Sequence, residues 1–299
     1  CVAIFFFYSG YGLMLNYSKR DNYLKSFFSK RLMKIIFPYF ASMLITWLGY
    51  LLTKYKFIPR EMFNSLFDGN PFVRYSWYVL TIIVLYIVFY LSGKIFKAPK
   101  KMLIGIFIGT LIYSVTVISK FSWGNWTINS CFSFLFGAVV SVYQERFRKI
   151  LCPNKKSAIS FFVILLLCGS MIAFQLLNDK FTLNKIIEFP EIADYLMTKP
   201  LSVIGMNVIC FVLIVLSFWG LRKIKLNDKL FSFLGKISFN IYLYHGLIMY
   251  LLRNPIFYCK VDILYMILVF ALTLLIATIM TKANEIVYKK IYLFLPNEH

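Results

Sequence analysis

Long apolar runs recur along the whole chain, and they limit its possible folds more than any other feature. Of the 299 residues, 60% are hydrophobic and 15% are charged, whereas soluble domains contain about 25% charged residues. A helix that crosses a bilayer needs roughly 17–25 apolar residues. The sequence therefore predicts an all-α polytopic membrane protein, with residues 1–299 forming a single transmembrane domain. It excludes a soluble globular enzyme, a disordered chain and a small disulfide scaffold.

Nine segments are predicted to be transmembrane helices. They are 1–16, 33–53, 77–93, 102–119, 127–143, 158–177, 201–221, 237–252 and 261–281. The first residue is Cys1 and not Met, so we expect an upstream segment, as long as a whole helix, to be missing from this chain.

The distribution of basic residues predicts how the helices are oriented. The net charge is +21, from 33 Lys and Arg against 12 Asp and Glu. Alternate loops carry 23 of these 33 cations, and loops rich in Lys and Arg lie in the cytoplasm. The C-terminus is then cytoplasmic. The charge is thus explained by topology, with attraction to anionic lipids or phosphorylated ligands as a secondary effect, and no nucleic-acid partner is predicted.

A cluster of cations stands at the predicted cytoplasmic start of the second span. Lys30, Arg31 and Lys34 are close in sequence, and a helix places Arg31 and Lys34, three residues apart, on one face. Such a pair can hold phosphates, with a bidentate contact from Arg and a point charge from Lys. Acyl-CoA is one ligand with such a charged tail. The alternative interpretation is a cluster that only fixes the orientation in the membrane.

Ser9 and Trp77 are candidate substrate contacts, and each also has a purely structural interpretation. Ser9 lies beside Gly10 in the first span, where small residues allow close helix packing, and Gly12 extends this small surface. The alternative is a substrate channel lined by Ser9. Trp77 begins the third span and is an interfacial anchor or a stacking surface for a sugar.

No metal site is predicted. The six cysteines have no paired spacing, and His245 and His299 are the two histidines of the sequence. Zinc sites and disulfide frameworks both need clustered ligands or paired cysteines, and the sequence contains neither pattern.

A polar face in the eighth span is another candidate site. Ser238, Tyr242 and His245 are spaced i, i+4 and i+7 and share one helical face. Imidazole serves as a general base or acid near neutral pH, and an ionisable group inside a membrane suggests function. The alternative is a neutral histidine that fixes a helix–helix hydrogen bond. No Ser–His–acid spacing, nucleotide-binding glycine pattern or pair of intramembrane carboxylates is present in the sequence.

The order of five short motifs resembles the acyltransferase 3 membrane family, which includes bacterial polysaccharide O-acetyltransferases. The motifs are FFFYSG at 5–10, the basic segment with Pro-Tyr at 30–39, SWYVL at 76–80, FLFG at 134–137 and LGKISFNIYLYH at 234–245. Lys34 stands where that family usually has a second arginine. We expect the family's first helix, which carries the histidine usually held to be catalytic, to lie upstream of Cys1.

The resemblance implies a ten-helix bundle in the bacterial cytoplasmic (inner) membrane, of which nine helices are visible. It implies transfer of an acyl group, usually acetyl, from cytoplasmic acyl-CoA to a hydroxyl of an envelope polysaccharide or lipid-linked sugar. Acyl-CoA is then a co-substrate, and no bound cofactor is expected. Lys30, Arg31 and Lys34 would hold the CoA, and a histidine upstream of Cys1 would activate the acceptor hydroxyl. Ser238 and Tyr242 would be substrate contacts, and with His245, the catalytic candidate within this chain, they would line or orient the site from the facing helix.

Two other functions stay open at this point. A transporter or flippase of lipid-linked oligosaccharide would use the same basic loops and interfacial aromatic residues such as Trp77. A glycan polymerase would need a large outer loop rich in Arg and His, and the predicted outer loops are modest and contain no His.

Overall fold

The computed structural model describes residues 2–53, 59–65, 71–120, 127–151, 199–221 and 228–294. Within these ranges the chain is helical and forms no strand. We number the α-helices in chain order: α1 Val2–Lys19, α2 Met33–Leu52, α3 Pro59–Asn64, α4 Trp77–Phe96, α5 Pro99–Lys120, α6 Phe132–Val142, α7 Gln144–Leu151, α8 Lys199–Leu221, α9 Asp228–Arg253 and α10 Asp262–Phe294. A short π-helix, Phe28–Leu32, leads into α2.

The prediction of an all-α chain is confirmed for the described residues, and eight of the nine predicted spans coincide with helices. The ninth, 158–177, lies outside the described residues. Four helical stretches in the described part are long and apolar enough to cross a membrane: Phe28–Leu52, Trp77–Phe96, Pro99–Val117 and Asp262–Lys290. The count of nine spans and the ten-helix bundle stay predictions.

Three predicted boundaries were wrong, and one of them is the start of α9, which begins at Asp228 and not at residue 237. The span predicted at 127–143 is the short helix α6, because residues 127–131 form turns before it. The last helix continues well beyond residue 281, to Phe294. The connection after α6 also contains the short helix α7. Its Glu145 lies in the first turn, where a negative side chain stabilises the helix by interacting with the positive end of its dipole.

The apolar helices expose large side chains along continuous stripes. On α2 these are Phe40, Leu44, Leu48 and Leu51, and on α5 they are Ile104, Phe107, Ile108, Leu111, Ile112 and Val115. Spacings of three and four residues place such side chains on one face of a helix. An apolar face of this kind is energetically favourable in contact with lipid but unfavourable in contact with water.

The chain divides into two compact units. The first unit contains Cys1–Phe27 and Thr81–Lys225, and the second contains Phe28–Leu80 and Leu226–His299. Each is described by itself below. The prediction of a single domain over 1–299 stays a prediction.

In the first unit, α1 and α6 cross with their backbones in contact. A methyl group added at Gly10 would overlap the carbonyl oxygen of Phe134, and one added at Gly137 would overlap the carbonyl oxygen of Phe7. This confirms the interpretation of Gly10 as a residue that allows close helix packing. Gly12, which we expected to extend the small surface, takes no part in the crossing, because a methyl group added there would have no atom within 4 Å.

In the second unit, α9 packs between α2 and α10. Gly49 of α2 faces Leu247, and the hydroxyl groups of Thr53 and Tyr250 lie 3.1 Å apart, so α2 and α9 run parallel. On the other side, the amide of Asn240 donates to the hydroxyl oxygen of Thr281 at 2.7 Å. Asn240 is buried, and this bond supplies a partner for an amide that would otherwise be unsatisfied.

Candidate functional site

The segment that precedes α4 lies on α9 in the second unit and is fixed there by Tyr242. The Tyr242 hydroxyl donates a hydrogen bond to the carbonyl oxygen of Tyr75. The phenol oxygen of Tyr242 in turn accepts a hydrogen bond from the backbone N–H of Tyr78 at 3.3 Å. One phenol therefore holds both the connection before α4 and the first turn of α4. The Tyr78 and Tyr242 rings also pack edge to face, with centroids 5.4 Å apart.

The backbone at this contact is unusual in two ways. Tyr75 has a φ of 64°, a left-handed conformation that is uncommon for a bulky residue and often found at functional sites. Facing it is Gly246, where an added methyl group would lie 2.8 Å from the carbonyl oxygen of Arg74. A glycine is needed at 246 because the connection approaches α9 more closely than a Cβ atom allows.

His245 lies against the ring of Tyr75. The two rings are nearly parallel, with centroids 5.6 Å apart and 21° between their planes. The imidazole Nδ1 is 2.7 Å from the carbonyl oxygen of Tyr242. Because a carbonyl oxygen only accepts hydrogen bonds, Nδ1 is the protonated nitrogen. In the neutral ring Nε2 then keeps its lone pair, which is the arrangement that a general base requires.

A second pair of hydroxyl groups supports the same segment from α2. The Ser76 hydroxyl donates to the hydroxyl oxygen of Tyr39 at 3.5 Å, and both side chains are buried. Tyr39, Ser76 and His245 belong to three of the five family-like motifs. The second unit therefore brings together residues that are far apart in the sequence.

The other predicted substrate contacts are not all part of this group. Trp77 is half-buried at the start of α4, two residues from Tyr75. Ser238 lies on α9 as predicted, but its hydroxyl donates to the carbonyl oxygen of Gly235 at 2.9 Å, one turn away from Tyr242. Ser9 is half-buried on α1 in the first unit. Their assignment as substrate contacts stays a prediction.

The predicted cation cluster lies at the start of α2. Lys30 and Arg31 are in the π-helical turn, and Lys34 is in the first turn of α2. Lys30 and Lys34 are exposed, whereas Arg31 is half-buried. Isolated π-helical turns are rare and frequently occur at functional sites.

The end of α10 supports this cation cluster. The Tyr288 hydroxyl donates to the carbonyl oxygen of Lys34 at 3.2 Å, and its ring packs on Phe37 with centroids 6.0 Å apart. These contacts fix the backbone from which the Lys34 side chain extends.

Two residues of this site, Tyr75 and Gly246, were not predicted from the sequence. A glycine directly after a polar face in an apolar helix is the one signal that indicates a close approach by another segment. Tyr75 has no such signal, because its role depends on the connection that carries it. Among the described residues, no group of three or more His, Cys, Asp or Glu side chains is placed to hold a metal ion.

A comparison with protein families shows which family this chain belongs to. The family model for the acyltransferase domain, acyltransferase 3, matches residues 1–282. The chain belongs to the acyltransferase 3 family. No curated protein and no solved structure matches the chain significantly. Family membership confirms the resemblance seen in the motifs, and together with the four apolar helices it supports an integral membrane acyltransferase.

Proposed function

We propose that this acyltransferase 3 protein transfers an acyl group, acetyl foremost, from acyl-CoA to a hydroxyl of an envelope polysaccharide or lipid-linked sugar. The observation that carries the proposal is His245, whose Nδ1 is held by the Tyr242 carbonyl so that Nε2 can accept a proton. The protein lies in the bacterial inner membrane, with the cation cluster and the C-terminus on the cytoplasmic side.

The reaction is an ester exchange without change of redox state. The acceptor hydroxyl loses its proton to a base, and its oxygen attacks the thioester carbonyl. The carbon–sulfur bond then breaks, and the CoA thiolate leaves and takes up a proton. The products are the O-acyl sugar and free CoA. In this scheme the imidazole of His245 takes part in moving the hydroxyl proton.

The two ends of α2 suit the two substrates. The cation cluster lies at its N-terminal end, and Thr53, which touches Tyr250 of α9, lies at its C-terminal end. A helix of 20 residues is about 30 Å long, close to the thickness of a bilayer core. The phosphates of CoA at Arg31, Lys34 and Lys30 and the sugar beyond His245 would therefore approach from opposite ends of the second unit.

The test is acyl transfer in proteoliposomes with isotope-labelled acetyl-CoA and an acceptor glycan, followed by mass spectrometry of the glycan. We expect a labelled ester and a rise in the KM for acetyl-CoA in Arg31→Ala, because the variant loses a charge-assisted phosphate contact. The matched control is Lys101→Ala, an exposed cation at the start of α5, which should leave the KM unchanged.

Two results would overturn the proposal. An unchanged KM in Arg31→Ala would remove the donor site from the cation cluster. Movement of the glycan across the membrane with no ester formed would show the transporter or flippase that the sequence also allows.

A further inference from the structure

A cavity opens at the C-terminal end of α9, and Tyr75 is one of its lining residues. Its volume is about 350 Å³, which lies in the lower part of the range of small-ligand sites. Its charged, aromatic and amide lining residues are two arginines, three tyrosines and one asparagine: Arg74, Arg253, Tyr75, Tyr250, Tyr265 and Asn254. All six belong to the second unit.

The two guanidinium groups of the cavity are held in place by aromatic rings. Arg74 lies over the ring of Tyr250, 4.9 Å from its centroid, and Arg253 lies over the ring of Tyr265, at 4.2 Å. Stacking fixes the plane of a guanidinium group and leaves its N–H edge available for hydrogen bonds. Fixed arginines lose less conformational entropy when they bind a ligand than free ones do.

The cavity carries a net positive charge. Arg253 forms an ion pair with Asp262 at 2.5 Å, and this hydrogen bond raises the pKa of Arg253 above its usual value. Arg74 adds a second cation, and the described lining residues include no acidic side chain. The Asp262 carboxylate balances the charge of Arg253, so the charge of Arg74 remains as the net positive charge of the cavity.

The remaining groups of the lining suit a sugar ring. The Asn254 amide donates to the Tyr250 hydroxyl oxygen at 3.3 Å, and its carbonyl accepts from the backbone N–H of Ile256, so the amide is held at the cavity wall. Tyrosine rings cover apolar ligand faces while their hydroxyl groups form hydrogen bonds. Flat rings, an amide and a guanidinium group together recognise a small ring that has hydroxyl groups and one anionic substituent.

Tyr75 joins this cavity to the candidate active site. Its side chain lines the cavity and also lies against the ring of His245. Tyr75 is thus shared by the cavity and the candidate active site. We propose that the cavity binds an acidic sugar residue of the acceptor, with its carboxylate or phosphate on Arg74. The assignment as acceptor site rests on the proposed function, whereas the binding itself does not.

The experiment measures binding to the intact protein in nanodiscs of phosphatidylcholine, without acyl-CoA and without turnover. The probes are glucuronic acid, glucose 1-phosphate and glucose. We expect both anionic probes to bind at least tenfold more tightly than glucose, and this preference to fall as salt is raised. Arg74→Gln should weaken anion binding at least tenfold, about 1.4 kcal/mol, and Arg74→Lys by less.

The control variant is Lys260→Gln, which removes an exposed cation that is not among the lining residues and should bind like the wild type. Thermal unfolding of each variant shows that it is folded. Equal binding of glucose and glucuronic acid, or an unchanged affinity in Arg74→Gln, would overturn the proposal.

A second arm separates a sugar from a lipid headgroup. In nanodiscs that contain phosphatidylglycerol, displacement of glucuronic acid by the lipid through Arg74 would assign the cavity to the lipid and overturn the sugar proposal. Because no arm requires acyl transfer, loss of the cavity assignment leaves the transferase proposal intact. A protein that binds the anionic sugars but makes no ester would instead refute the transferase alone.

Discussion

The imidazole of His245 and the phenol ring of Tyr75 are stacked nearly parallel, with their centroids 5.6 Å apart, although they come from distant parts of the sequence. Tyr75 adopts a left-handed backbone conformation to reach this position. Three contacts hold it there: the hydrogen bond from the Tyr242 hydroxyl, the close backbone approach at Gly246, which a Cβ atom would block, and the packing of its ring on His245. Each contact can be altered separately by a single substitution.

Replacement of His245 by Asn tests the imidazole. The asparagine amide can still donate to the carbonyl oxygen of Tyr242, but the Nε2 position is lost. Because a general acid or base contributes about 10²–10⁴-fold to a rate, we expect kcat for acyl transfer to fall by that order, with the KM for acetyl-CoA little changed. Steady-state kinetics in proteoliposomes measure this, with the unfolding temperature as the control. A variant that keeps its kcat would show that His245 is structural.

Replacement of Tyr242 by Phe tests the hydrogen bonds that hold Tyr75. The variant keeps the ring but leaves the Tyr75 carbonyl and the Tyr78 N–H without this partner, so we expect a loss of about 1 kcal/mol of stability. Thermal unfolding in detergent measures it. Tyr11→Phe, on α1 in the first unit, is the matched control. Equal unfolding temperatures for the two variants would contradict the described hydrogen bonds.

Replacement of Gly246 by Ala tests the close approach of the connection to α9. The methyl group would lie 2.8 Å from the Arg74 carbonyl oxygen, so the backbone must shift, and we expect a loss of about 1–3 kcal/mol. Gly235→Ala is the control on the same helix. No atom lies within 4 Å of the methyl group it would add, so it should stabilise α9 by about 0.5–1 kcal/mol. Effects of the same sign would refute the assigned contact.

Replacement of Gly10 by Ala tests the helix crossing in the first unit. The new methyl group overlaps the backbone of Phe134, and a backbone atom cannot move aside as the end of a side chain can. We expect a loss of at least about 2 kcal/mol in thermal unfolding. Gly12→Ala, on the same helix and free of close neighbours, should be neutral or stabilising. A Gly10→Ala protein as stable as Gly12→Ala would show that α1 and α6 do not cross here.

Replacement of Asn240 by Leu tests the polar contact between α9 and α10. It removes the donor to Thr281 and the acceptor for Asn284, which lies 3.5 Å away. Interhelical hydrogen bonds in membranes contribute about 0.6–1.7 kcal/mol, and we expect a loss in that range by reversible unfolding. The control is Asn16→Leu, whose amide donates to the Gly12 carbonyl of its own helix. A larger loss in the control would contradict the assignment.

The sequence alone determined the helical class, the approximate places of eight helices and the family. These properties depend on apolar runs and on the order of short motifs, which are local or linear features of the chain. It also identified Gly10 as a packing residue and placed Ser238, Tyr242 and His245 on one face, because helical periodicity is fixed by the backbone.

Only the tertiary structure decided which residues meet. The sequence has no signal that pairs Gly10 with Phe134, Tyr75 with His245 or Arg74 with Arg253. Each of these pairs depends on how two helices or a helix and a connection approach each other, and one missing Cβ atom sets that distance at Gly246. The periodicity of a helix gives the face that it presents but not the neighbour that covers it, because packing is a property of both surfaces.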